Sequence, residues 1–122
     1  MSMARTGAIF FSWGAPVRGR EMQGLAVFGE ALQYYEELAK EGRIIGHREY
    51  FFADRDGGCM VIEGLLSELY QLIQENRFVK LQIKAQSVME HLTMEVAIGG
   101  TDQTVNEGMT LYTEALGELG IT

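Results

Sequence analysis

The sequence is short of nearly every feature from which a function is read directly. It has 1 cysteine, Cys59, so no disulfide forms within the chain and the fold needs no oxidising compartment. It has 1 proline, Pro16, which leaves long stretches free to run as helix or strand. Nothing approaches the roughly 18 consecutive apolar residues that span a bilayer. The apolar run from Ala8 to Phe11 has a strand's length, not a signal peptide's. A soluble, cytoplasmic protein is the expectation. Basic residues are few: 10 Lys and Arg against 17 Asp and Glu leave a net charge of −7, with only Arg18 and Arg20 close together in a loop. That balance argues against nucleic acid and anionic membrane as partners. The 2 histidines, His47 and His91, form no ligand pair at helical or loop spacing, so no metal is expected, and a haem reading would rest on one of them alone. Gly57-Gly58 precedes a strand and makes a turn, so there is no phosphate-cradling loop, and no cofactor is expected. Asp54, Asp56 and Asp102 all fall in turn segments, which leaves a Ser-His-Asp set without its third member.

What is present is an ordered change of hydrophobic period over a chain of 122 residues, 47% of them apolar, the size of one domain with its own core. Ala8 to Trp13 is a strand apolar on both faces. From Glu21 a helix follows, with Leu25, Phe28, Leu32, Tyr35 and Ala39 along one stripe and Gly42 at the position of a C-terminal cap. Gly24 and Gly29 inside it point to close packing on the sheet or to a loosened first turn. Ile44 to Phe52 and Cys59 to Glu63 are strands joined by the turn Asp54-Arg55-Asp56-Gly57-Gly58. Ser67 then caps a short helix carrying Leu69, Leu72 and Ile73. Phe78 to Leu92 reads both ways, and the longer helical stripe decides for helix. Thr93 to Ile98 is the fourth strand. A last helix over residues 103–119 shows Val105, Met109, Tyr112, Leu116 and Leu119 in 4-3-4-3 spacing, to be packed on its own domain or on a second subunit.

The order is βαββαβ with a helix appended: a single α+β domain over residues 1–122, an antiparallel sheet with its helices on one face. The opposite face is apolar as well. Ala8 and Phe10 point away from Ile9, Phe11 and Trp13, and the second strand carries large apolar residues on both sides. A monomer would leave that surface wet, so a homodimer pairing sheet faces is the expectation.

Pro16-Val17-Arg18-Gly19-Arg20-Glu21, Phe28-Gly29-Glu30-Ala31-Leu32 and Glu41-Gly42-Arg43-Ile44 carry a resemblance that continues in Gly57-Gly58, Arg77-Phe78 and Met109-Thr110-Leu111-Tyr112. On these residues the chain resembles bacterial proteins of the dimeric α/β-barrel (ferredoxin-like) superfamily to which no reaction is assigned. The resemblance implies two sheets closed face to face around a lumen that holds a small molecule. Members include cofactor-independent monooxygenases and haem-degrading proteins, whose catalytic sets this chain does not copy.

Within such a lumen the candidate chemistry is a His–Glu pair. His47 and Glu49 share one face of the second strand, Arg48 and Tyr50 the other. Glu63 lies across the hairpin, opposite His47 in one register and opposite Arg48 after a slip of one. A carboxylate beside an imidazole raises its pKa and makes a general acid or base. The plainer reading of His47, Glu49 and Glu63 is strand residues satisfying one another. The remaining pocket candidates are Trp13, which lines the lumen or, the plainer reading, fills the core, Phe10 as a wall, Glu95 on the fourth strand, and Arg18 and Arg20 before the first helix, either meeting an anionic ligand or solvated in the loop. A homodimer that binds a small molecule or serves as an interaction module is the leading expectation, and a cofactor-independent monooxygenase using His47 with Glu49 or Glu63 as base is the alternative.

Overall fold

The computed structural model describes residues 4–121. Met1 to Met3 and Thr122, within the domain bounds 1–122 read from the sequence, lie outside the described residues. The element order is β1 (Thr6–Trp13), α1 (Glu21–Lys40), β2 (Gly46–Phe51), β3 (Gly58–Leu65), α2 (Leu66–Leu72), α3 (Asn76–Val88), β4 (Thr93–Ile98) and α4 (Asp102–Leu119). The strands form one antiparallel sheet in the order β2-β3-β1-β4. This is the ferredoxin-like α+β arrangement expected from the order of periods.

Side-chain alternation sorts the central strands into two faces. Ile9, Phe11 and Trp13 of β1 join Met60 and Ile62 of β3 beneath the helices, where Tyr35, Leu38, Leu69, Phe78 and Leu81 close the core. The stretch read both ways is helix, starting at Asn76 and ending at Val88, earlier than its apolar stripe ran. Met89 leaves the helix to pair with Pro16, which frees Leu92 from it.

Three local expectations need correcting. Leu25 is not on the buried stripe of α1: it is exposed, and Gly24, Tyr34, Tyr35 and Leu38 are the buried positions. Tyr34 packs under the Arg77 guanidinium, 4.5 Å from its ring centre. Ser67 does not cap α2, because the chain passes from β3 into the helix with Leu65 at the N-cap, so Ser67 lies inside the first turn. Asp102 opens α4 instead of sitting in a turn. At the end of α1, Gly42 has φ +74°, and Arg43 N–H donates to Leu38 O at 2.9 Å, the wrap a C-terminal glycine permits.

The β2–β3 hairpin depends on Gly57. Its φ is +110°, and a β-carbon there would stand 2.1 Å from the carbonyl oxygen of Trp13. Only glycine lets this turn lie against the end of β1.

Candidate functional site

The register separates the residues that the sequence grouped. In the β2–β3 pairing Glu63 stands opposite Gly46, Ile62 opposite His47 and Val61 opposite Arg48. His47 and Glu49 therefore turn toward the helices, while Arg48, Tyr50 and Glu63 turn toward the open face. Neither proposed register holds, and the lumen-facing pair of His47 with Glu63 is not formed. The alternation itself was sound; the pairing depends on the turn conformation, which its residues left open.

His47 is held at both ring nitrogens. Nδ1 lies 2.6 Å from Glu49 Oε2 and Nε2 lies 3.1 Å from Glu36 Oε2 of α1. Burial pushes its pKa down, but the hydrogen bonds with the Glu49 and Glu36 carboxylates push it up by more, so the net shift is upward. The ring is a strut between β2 and α1, and it lines neither of the cavities described next.

The first cavity is an apolar chamber of about 60 Å³ between the helices and the sheet, walled by Phe11, Trp13, Phe28, Met60, Leu81 and Met89 among others. Trp13 lies in the core beneath the helices and walls this chamber within the protomer, on the face away from any lumen between sheets. An engineered protein cavity of about 150 Å³ admits benzene, so this one is too small for an aromatic ligand unless it opens.

The second is a groove of about 360 Å³ on the open face, with Ala8, Phe10, Tyr50, Val61 and Ala97 among its lining and the Gly99-Gly100 turn at one end. Phe10 and Tyr50 are about half exposed, at 43% and 50%. Within it, Arg48 Nη2 donates to Glu63 Oε1 at 2.6 Å, an ion pair diagonal across the hairpin. Glu95 stands opposite Phe10 on the same face, not beside His47. Cys59 is half-buried there, between Tyr50 and Ser12 in the register.

Arg18 and Arg20 join neither cavity. Arg20 Nη1 donates to the Ser87 carbonyl at 2.7 Å, which satisfies an end carbonyl of α3. Among the described residues no three His, Cys, Asp or Glu side chains gather as a metal site, and no helix is long and apolar enough to cross a membrane.

Arg48 and Tyr50 were not among the candidate site residues read from the sequence. The signal was present: both share a strand face with two-residue spacing, on the side opposite His47.

No protein-family model and no curated protein matches the sequence. Among solved structures, SnoaB, a cofactor-independent oxygenase from Streptomyces nogalater, superposes with a TM-score of 0.56 over 84% of this chain and 97% of that one, at 11% identity. The chain shares its fold. At that identity the likeness extends to the α+β architecture and not to individual side chains.

Proposed function

We propose that this protein is a homodimer that binds a small molecule between the open faces of two sheets, one from each copy. The observation that carries the reading is the open face itself: an apolar groove on the sheet, with an Arg–Glu pair set in it and, among the described residues, no helix across it. Ligand sites are mostly apolar concavities with a few placed polar groups, of about 300–1,000 Å³, and this groove is of that size before a second copy adds its half. Phe10 and Tyr50 would stack on a flat apolar body, and Arg48 would meet an anionic or hydroxyl substituent. The test is light scattering at micromolar concentration, followed by thermal-shift screening against planar aromatic acids and phenols. A dimer whose melting temperature rises with such a compound, and rises less after Arg48→Ala, supports the reading. A monomer defeats it.

A second reading, cofactor-independent oxygenation, is favoured by the fold shared with SnoaB. Without a cofactor the substrate itself must supply the electrons to dioxygen, so it must be an electron-rich compound that is readily deprotonated. In the groove the group placed to take that proton is Glu63, with Arg48 beside it to stabilise the resulting charge. His47 and Glu49, on the far side of the sheet, hold β2 in place. An oxygen electrode decides: uptake with a phenolic substrate that falls at least tenfold in Glu63→Gln supports the reading, and uptake unchanged by that variant removes it.

A further inference from the structure

α4 is a complete helix that hardly touches its own domain. Thr101 caps its start by accepting from Thr104 N–H at 3.3 Å, and Gly120, with φ 74°, closes its end. Its anchorage is confined to the first turns: Thr6 N–H donates to Thr104 Oγ1 at 3.2 Å, and Arg5 approaches Glu107 at 3.7 Å. Thr104 is its only buried residue. The apolar stripe is bare: Val105, Met109, Tyr112 and Leu119 are between 48% and 71% exposed. Glu107, Glu114 and Glu118 lie on the opposite side at helical spacing, and the helix contains no lysine or arginine. An interfacial membrane helix carries basic residues on its polar face, so this one is built for a protein surface.

Two observations say which. The groove along the stripe and the groove on the open sheet face share Ile98, so the helix extends the open face as one surface. The areas also match. The face of the 4-stranded sheet, with strands about 4.8 Å apart and about 20 Å long, offers roughly 400 Å² in projection. The 18 residues of α4, about 27 Å long and about 10 Å wide, offer roughly 270 Å² more. A stable interface takes about 800 Å² of accessible surface per partner, and accessible area exceeds its projection. The sheet face and the helix together reach that size; neither does alone.

We infer that α4 is a clasp, its apolar stripe packing on a second copy of this chain and completing the surface that the open sheet begins. The inference rests on the reading of that sheet face as a self-association surface. Two-fold symmetry then uses both stripes, each helix gripping the other copy.

Sedimentation equilibrium of the full chain tests it, with three variants compared by circular dichroism for retained helix and strand. Met109→Glu with Tyr112→Glu is expected to weaken the dimer at least 100-fold. Glu114→Lys, on the acidic side of the same helix, is expected to change the dissociation constant less than threefold. Phe10→Glu reports on the sheet face independently. If the full chain is dimeric and the double variant keeps the same dissociation constant, the clasp is overturned, whatever Phe10→Glu does. If the double variant dissociates and Phe10→Glu does not, α4 associates without the sheet face, and both the pairing of sheet faces and the clasp as its completion fall. A full chain that is monomeric at 50 micromolar, as it would be if the stripe served a different protein, overturns both.

Discussion

His47 shows how a residue with the chemistry of a base can serve as a strut. Its raised pKa has a direct consequence for stability. Because the folded value lies above the unfolded one of about 6.5, the protonated ring stabilises the fold fully below that unfolded value. The contribution is lost as pH rises through the folded value. Urea unfolding should therefore show stability falling over that interval, and His47→Gln should remove the fall while costing about 1 kcal/mol at pH 6. A profile with the same slope in the variant would refute the assignment. Arg43 is a stronger tie. Its Nε donates to Glu68 at 2.8 Å and its two terminal nitrogens donate to Glu75 at 2.8 and 2.6 Å, which links the end of α1 to α2 and to the start of α3. The Arg43 guanidinium is the largest influence on Glu75 and holds its carboxyl below the usual range. That contribution is present above the unfolded value and lost as acid protonates Glu75. Arg43→Lys keeps the charge but loses the two-pronged geometry. It is expected to lower stability by about 1 kcal/mol at pH 7 and by less at pH 3, measured by denaturant titration.

The helices and turns were read with different success, and packing explains the difference. Gly24 and Gly29 looked alike in the sequence of α1. Gly24 is buried, and a β-carbon there would meet Met89 at 3.1 Å and Pro16 at 3.9 Å; Gly29 meets nothing within 4 Å. Gly29→Ala should therefore stabilise the protein by about 0.5–1 kcal/mol through helix propensity alone. The same change at Gly57, which combines positive φ with the carbonyl of Trp13 in the way, should cost about 3 kcal/mol. Thermal unfolding of the two variants gives opposite shifts if these accounts hold. Period and length placed α1, β4 and α4 to within one residue of their observed ends where the sequence set both. The end of α3 was misplaced because Met89 gives up its helical place to pair with Pro16, a contact 73 positions away in the chain that no local pattern contains.

For the molecule as a whole, one sheet carries two different commitments. Its helix-side face is finished, with Ile9 and Ile62 fully buried. Its other face, together with α4, remains apolar and open. If a second copy covers this surface, association and folding are linked. The melting temperature of the full chain should then rise by several degrees over a hundredfold increase in protein concentration, and should not do so in Phe10→Glu. Scanning calorimetry across that range checks it, and a melting temperature independent of concentration in the full chain would count against any dimer. The candidate groove was only partly legible beforehand. Phe10, Glu95 and Glu63 were placed on strands correctly, yet they turn to the open face while His47 turns to the helices, because which strand residues share a face is fixed by the registers between strands.

The sequence by itself determined the order of elements, the all-antiparallel α+β class and the double-sided apolar character of the strands, because hydrophobic period and turn residues are local and survive without a fold. Only the tertiary structure decided that His47 faces α1, that Arg48 and Glu63 meet on the opposite side, and that the stripe of α4 is left uncovered. Each of these depends on a strand register or a helix direction, and those are set by contacts between residues far apart in the chain.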